Sequence, residues 1–371
     1  MMRCWGSTVI WRLLAVLWMG GALVGCAGSA DVAPPDASPS ELTVKQATVA
    51  EPYASVRVFF GTNRARTPAQ DAIRFGTKRG DLVLGSCTVS IPPHHRVGEI
   101  ERPSIWRLEF REDPARHVTL LSLGLLSEQD FVHRVMARAR TSRKEALVFV
   151  HGYNVSFEEA ARRAGQLKYD LSFPGPVLFF SWPSRGIPVG YAHDEDNIEW
   201  SVPDLISFLH LLTGRSDLER VYFVAHSMGS RGAVRALSEL KEVHGLAERQ
   251  KISELILAAP DIDADVFVEQ LLPRLAAPRT RITIYASTQD NALSISRFFN
   301  GNERLGARVL DLENVDFVDV SGAVGHSYFA DSGRVIEDLY RLLMEGLSAS
   351  ERSLEAVRLS ARKMYYRLRA P

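Results

Sequence analysis

Ser227 lies in Ala225-His226-Ser227-Met228-Gly229, between the apolar run Val221-Tyr222-Phe223-Val224-Ala225 and the helix-period stretch Arg231-Gly232-Ala233-Val234-Arg235-Ala236-Leu237. These residue types at this spacing suit a nucleophile. A sharp strand-to-helix turn has no room for side chains two positions either side of its centre, and alanine and glycine stand there. The start of the helix places amide N–H groups and a positive dipole end beside the hydroxyl. Such a hydroxyl needs a base to take its proton and a third group to orient that base.

Other clusters could do chemistry too. His193-Asp194-Glu195-Asp196 has metal-binding residue types, but they crowd one predicted loop with no matching second cluster, so a solvated acidic loop lining the cleft is expected. Trp182, Tyr191 and Trp200 could form an apolar wall near the site, and His94-His95 after two prolines reads as an exposed turn. No metal and no cofactor is expected.

The elements that must position Ser227 follow from the pattern of apolar residues. Between Val56 and about Leu123 the chain favours strands: Val56–Phe60, Leu82–Leu84, Trp106–Phe110 and Val118–Leu121, punctuated by Gly and Pro. Beyond that, short apolar runs alternate with helix-period stretches, as in βα units stacked around a parallel sheet. The runs are Ala146–Val150, Val177–Phe180, Val221–Ala225, Leu255–Ala259, Ile282–Ala286 and Val315–Val320. Helices are expected over Phe157–Leu171, Val202–Leu212, Arg231–Glu242, Ala264–Leu272 and Gly333–Leu347.

The N-terminus carries a different message. Arg3 and Arg12 precede an apolar run from Leu13 to Val24, which small residues close. That is the grammar of a secretory signal. As a helix the run spans about 18 Å against about 30 Å of hydrocarbon, too short for a stable transmembrane anchor. Leu23-Val24-Gly25-Cys26 resembles the lipobox of bacterial lipoproteins, which implies cleavage before Cys26 and its acylation by fatty chains such as palmitate. Residues 27–50, rich in Ala, Pro, Ser and Asp, read as a flexible tether. Cys87 is then the one thiol left, so no internal disulfide is expected. Stability must come from a core, which the 46% hydrophobic content allows. With 44 basic and 44 acidic residues the formal net charge is zero, giving no electrostatic case for nucleic acid.

Phe59-Phe60-Gly61-Thr62-Asn63-Arg64, His151-Gly152-Tyr153-Asn154, Ser181-Trp182-Pro183-Ser184, His226-Ser227-Met228-Gly229 and the acidic Tyr191–Glu199 stretch together resemble a bacterial branch of the α/β-hydrolase superfamily. The resemblance covers roughly residues 145–345. It implies a mostly parallel central sheet flanked by helices, here preceded by a β-rich N-terminal extension. Carried over by position, it implies an oxyanion hole from the backbone N–H groups of Tyr153 and Met228. The family's chain order of nucleophile, acid, histidine implies His326 as the base. Of the histidines after Ser227, His244 falls in a polar stretch expected at the surface. His151 precedes the nucleophile and reads as a buried histidine holding its loop. The acid is expected at Asp290, after the run Ile282–Ala286. Asp261 and Asp263, one strand earlier, are the alternatives, with helix N-capping as their other use.

The implied organisation is a signal at 1–26, a tether at 27–50, a hydrolase domain at 51–347 whose part 51–123 is β-rich, and a basic C-terminal helix at 348–371. In that last segment Leu354, Val357, Ala361, Met364 and Leu368 recur at spacings of three and four, among six basic residues. Such a helix docks on its own domain or lies on anionic lipid. The expected function is hydrolysis of carboxylic esters through an acyl-enzyme, by a protein lipid-anchored in a bacterial envelope, at the outer membrane's periplasmic side. The expected partners are a small-molecule or lipid ester and, through the anchor, a membrane. The alternative is a non-catalytic assembly or binding lipoprotein built on the same scaffold.

Overall fold

Every residue of Glu-Ala-Leu-Val-Phe-Val at 145–150 is buried, as a strand covered on both faces requires. Its side chains alternate between two cores. Ala146, Val148 and Val150 face one apolar cluster, while Leu147 and Phe149 face the other. The rest of the sheet is built around this strand. The computed structural model describes residues 51–369 apart from 69–72, 105, 107–108, 186–189, 276–279, 311, 324 and 359–363. The expected signal, tether and acylated Cys26 lie outside the described residues.

One sheet of eleven strands contains β1 (Ala54–Thr67), β2 (Arg74–Ile91), β3 (Leu120–Leu126), β4 (Glu145–Val150), β5 (Val177–Ser181), β6 (Arg220–His226), β7 (Ile252–Ala258), β8 (Arg281–Ala286), β9 (Val315–Asp319), β10 (Leu354–Arg358) and β11 (Met364–Leu368). The spatial order is β10-β11-β9-β8-β7-β6-β4-β5-β1-β2-β3. From β11 to β1 all neighbours run parallel, and the two edges are antiparallel. The connection from β4 leads to β5 on one side, while β6 pairs with β4 on the other. That reversal is a topological switch point, and sheets of this kind bind ligands beyond the carboxyl ends of the strands at such a point.

Helices cover both faces. On one lie α1 (Glu128–Ala139), α3 (Tyr191–Trp200), α4 (Val202–Thr213) and α5 (Gly229–His244), whose Phe131, Ile198, Phe208 and Leu237 join the first cluster. On the other lie α2 (Phe157–Asp170) and α11 (Gly333–Leu343), whose Phe157 and Leu339 join the second. Between α5 and α11 come the short α6 (Leu246–Arg249), α7 (Ala264–Val266), α8 (Leu272–Leu275), α9 (Asn291–Asn300) and α10 (Tyr328–Asp331). A single π-helical turn, Phe267–Leu271, joins α7 to α8. No helix among the described residues is long and apolar enough to cross a membrane.

The β-rich N-terminal part is continuous with the main sheet, because β1 lies parallel to β5 from Phe59 to Thr62. Other expectations need correction. Trp106 and Phe110 are in no strand, and both are exposed. His95 is no exposed turn residue. Its ring is buried, with Nδ1 at 2.9 Å from Glu101 and Nε2 at 2.8 Å from Asp170. Cys87 is free and buried, and burial pushes its thiol well up.

The stretch 191–199 is the helix α3, not a loop. Its inward-facing residues include Asp194 and Asn197, both fully buried and hydrogen-bonded, so the apolar period that marks a helix is missing. The C-terminal helix is likewise absent. Leu354–Arg358 and Met364–Leu368 pair antiparallel, and β11 adds to β9 through Tyr366 opposite Val318 and Arg367 opposite Asp319. The N–H and C=O groups along the outer side of β9 need partners, and a strand supplies them where a helix would not. Arg352 locks the entry to this hairpin. Its buried guanidinium donates to Asp338 at 2.8 Å and to the Tyr285 hydroxyl at 3.1 Å.

Candidate active site

β6 ends at His226, α5 starts at Gly229, and Ser227 is the turn between them, with a left-handed φ of 51°. A non-glycine residue there is strained, and three backbone bonds hold it. The Ser227 N–H donates to Ala258 O at 2.9 Å, while its own carbonyl accepts from Ser230 at 3.0 Å and Asp261 at 3.2 Å. The small residues have a visible purpose. A Cβ at Gly229 would stand 2.2 Å from the His151 carbonyl oxygen. A Cβ at Gly152 would stand 2.8 Å from His226 Nδ1 and 2.9 Å from Ser227 Cβ. The loop after β4 therefore presses directly on the serine turn, which brings Tyr153 close to it. Met228, immediately before α5, is fully buried.

His326 lies in the loop between β9 and α10. Its Nε2 is 2.8 Å from Ser227 Oγ, and its Nδ1 is 2.7 Å from Asp290 Oδ2. A carboxylate only accepts, so the proton sits on Nδ1 and the Nε2 lone pair faces the serine hydroxyl. The ring is backed by His226 at 4.8 Å between centroids, and His226 stacks on Phe329 at 4.7 Å. His226 Nε2 donates to the His326 carbonyl at 3.2 Å. Burial, and then the neighbouring His326, hold His226 far below the ordinary histidine value, so it stays neutral.

Asp290 uses its two oxygens differently. Oδ1 accepts from the Ala292 and Leu293 amides and caps α9, while Oδ2 meets His326. The alternative carboxylates are engaged elsewhere. Asp261 accepts from the Tyr191 hydroxyl and Ser296 Oγ, each at 2.6 Å, with Arg304 Nε at 3.3 Å and Arg231 Nη2 at 3.8 Å. Asp263 caps α7 through the Asp265 and Val266 amides and accepts from Asn302.

His151 is buried under Trp182, ring on ring at 5.1 Å and 14°. Burial first, and the Arg64 cation second, push it down to about 3, so it is an uncharged histidine. Of the three aromatics expected to wall the cleft, Trp182 is fully buried beneath this loop. Trp200 is instead exposed, with the Arg79 guanidinium 5.1 Å from its ring centroid. Tyr191 alone of the three packs on Tyr153, edge to face at 5.5 Å.

Asp194, from the acidic stretch, holds loops together rather than a metal. It accepts from Ser184 Oγ at 2.6 Å and the Arg185 amide at 2.9 Å, and burial raises its carboxyl. Neighbouring Glu195 and Glu199 tie α3 to α5 through Arg231 and Arg235, each at 2.7 Å. Among the described residues one group has metal-ligand composition, His210, His244 and Glu248. The two rings there stack at 3.9 Å and 12°, so their in-plane lone pairs run nearly parallel instead of converging. His244 is thus only partly exposed, and it stands at the far end of α5 from Ser227. Sequence reasoning did not foresee that Arg64 belongs to the site's framework. The available signal was its place in the Phe59–Arg64 segment that carries the family resemblance.

A family model described as an alpha/beta hydrolase of unknown function (DUF900) matches residues 127–343. No curated protein matches the chain. Solved structures with a similar arrangement include a hydrolase of the alpha/beta superfamily from Xanthomonas campestris pv. campestris, at 13% identity, covering 54% of this chain and 99% of that one, TM-score 0.32. A CIB-like hydrolase from Thermoplasma acidophilum aligns at 13% identity over 62% of this chain and 89% of its own, TM-score 0.33. Est1E from Butyrivibrio proteoclasticus with ferulic acid aligns at 14% over 54% and 88%, TM-score 0.36.

Proposed function

We propose that this chain, which belongs to the alpha/beta-hydrolase family of unknown function (DUF900), is a serine hydrolase that cleaves carboxylic esters through an acyl-enzyme. The observation that carries this reading is the run of short contacts from Ser227 Oγ through His326 to Asp290, 2.8 and 2.7 Å long. In the reaction His326 Nε2 takes the Ser227 proton as Oγ attacks the acyl carbon. The imidazolium returns that proton to the departing alcohol. A water, deprotonated by the same nitrogen, then releases the acid and restores the serine. Asp290 holds the Nδ1–H tautomer and stabilises the imidazolium. The Tyr153 and Met228 N–H groups receive the developing oxyanion, each worth about 3–4 kcal/mol in the transition state.

The cellular setting belongs to the same proposal. Cys26 carries the lipid, residues 27–50 hold the domain off the membrane, and the substrate is a small-molecule or lipid ester of the bacterial envelope. Fatty-acid metabolic labelling should mark the wild type and not Cys26→Ser; label persisting in the variant would remove the anchor from the proposal. A fluorophosphonate probe tests the chemistry. Folded wild type should label and Ser227→Ala should not. Folded protein that fails to label would favour a non-catalytic binding lipoprotein instead.

A further inference from the structure

Arg64 is buried to 1% exposure in β1, and each of its five N–H donors has an acceptor. Nε donates to Ser181 Oγ at 2.8 Å. Nη1 donates to the carbonyls of Gly76 at 3.1 Å and Ser184 at 3.0 Å. Nη2 donates to the Val155 carbonyl at 2.7 Å and approaches His151 Nε2 at 3.4 Å. The guanidinium thus ties β2, the loop after β5 and the loop after β4 into one body. It also decides the chemistry of His151. A guanidinium can only donate, so Nε2 of this neutral ring must accept, and the ring proton sits on Nδ1. Ser181 Oγ, 3.2 Å from the same Nε2, agrees with that assignment, because its proton is free while its lone pair takes Arg64 Nε–H.

The Nδ1–H donates to the Gly152 carbonyl at 2.8 Å. The peptide joining Gly152 to Tyr153 is planar and trans, so its C=O and N–H point in opposite directions. Holding the carbonyl against the ring turns the Tyr153 N–H away from the ring. Trp182 fixes the plane in which this happens, stacking on the imidazole and donating from Nε1 to the His151 carbonyl at 2.8 Å. On its other side Gly152 abuts Ser227 and His226.

We infer that Arg64 and His151 are positioning residues that aim one oxyanion donor: Arg64 fixes the Nδ1–H tautomer of His151, and that tautomer sets the Gly152–Tyr153 peptide so that Tyr153 N–H faces the reacting carbonyl oxygen. The opposite tautomer would place a lone pair against the Gly152 oxygen and an N–H against Arg64. The peptide would then gain by flipping, and its carbonyl would face the oxyanion. The use made of the N–H rests on the serine-hydrolase reading, whereas the tautomer does not.

Two measurements on the mature chain test the inference. In ¹⁵N-histidine NMR, His151 should show a protonated Nδ1 and an unprotonated Nε2, without titrating between about pH 5 and 8. An Nε2–H signature, or titration in that range, overturns the inference whether or not the protein is an esterase. The second measurement uses p-nitrophenyl butyrate. The amide of His151→Asn reaches the ring's Nδ1 position, and the amide of His151→Gln reaches the Nε2 position. His151→Asn should keep kcat within about tenfold of wild type, while His151→Gln should lose about 10²–10³-fold with KM little changed. Equal kcat values for the two folded variants, or a loss confined to KM, overturns the inference. Absence of turnover in the folded wild type would count against the serine-hydrolase reading and the role given to Tyr153, and the NMR signature would still decide the tautomer.

Discussion

Asp290→Asn separates the two uses of one side chain. The cap of α9 depends on Oδ1, which accepts from the Ala292 and Leu293 amides at 3.0 and 3.2 Å. Asparagine keeps that oxygen and caps about as well as aspartate, so folding stability should change little. The position of Oδ2, 2.7 Å from His326 Nδ1, would then hold an NH₂. Two donors cannot face each other, so the His326 proton moves to Nε2 and points at Ser227 Oγ. The ring can no longer accept the hydroxyl proton, and no anion remains to stabilise the imidazolium. In serine proteases this change costs about 10⁴ in kcat, which is about 5.4 kcal/mol of activation free energy at about 1.36 kcal/mol per factor of ten. Asp290→Ala should show the same kinetic loss and a further stability loss of about 1 kcal/mol from the missing cap. The assay is kcat on p-nitrophenyl butyrate, compared at equal folded fraction by urea titration. If Asp290→Asn stays within about tenfold of wild type, or if Asp261→Asn shows the large loss instead, the arrangement of the three residues has been misread.

Other outcomes follow from buried charge. Arg352→Ala strands the Asp338 carboxylate and should cost about 3–5 kcal/mol, whereas Arg352→Met with Asp338→Asn should cost less. Urea midpoints decide this, and a double variant as unstable as the single one would refute the ion-pair account. His151 is neutral in the fold, with its value pushed to about 3 from an ordinary 6.5. The unfolded chain therefore takes up the proton first, so this contribution is complete above pH 6.5 and is lost as pH falls toward 3. At pH 5 the loss is about 2 kcal/mol, and His151→Asn should shrink the stability difference between pH 7 and pH 5 by that amount. An unchanged difference would show that the ring is already charged or exposed.

The turn at Ser227 was legible because its demands are local. A buried strand, a sharp bend and a helix start need an apolar run, small residues two positions from the serine, and a helix-period stretch, all within 17 residues of one another. The parallel strands were legible for a similar reason, since burial on both faces makes β4 and β6 nearly continuous apolar runs. The acid was not legible to that degree. Asp261, Asp263 and Asp290 all follow strands in loops rich in capping residues. What separates them is which loop the His326 loop faces across the sheet, where β8 pairs with β9. Nothing within a few residues of any of the three carries that information.

The sequence failed where polar groups replaced apolar ones or where a distant edge needed a partner. Helix α3 hid its period because Asp194 and Asn197 are buried in hydrogen bonds, and a hydrophobic pattern cannot register such contacts. The C-terminal segment shows the opposite error. Its apolar residues do recur at helical spacing, but the outer side of β9 offers hydrogen bonds that only an extended chain can satisfy. Arg64 stands 87 positions before His151, and no local rule links a strand arginine to an imidazole so far along the chain. Residue types alone determined which groups could react, because reactivity belongs to the side chain and its immediate turn. The tertiary structure decided which groups meet and which tautomers they hold, because both depend on donors and acceptors that folding brings together from distant strands.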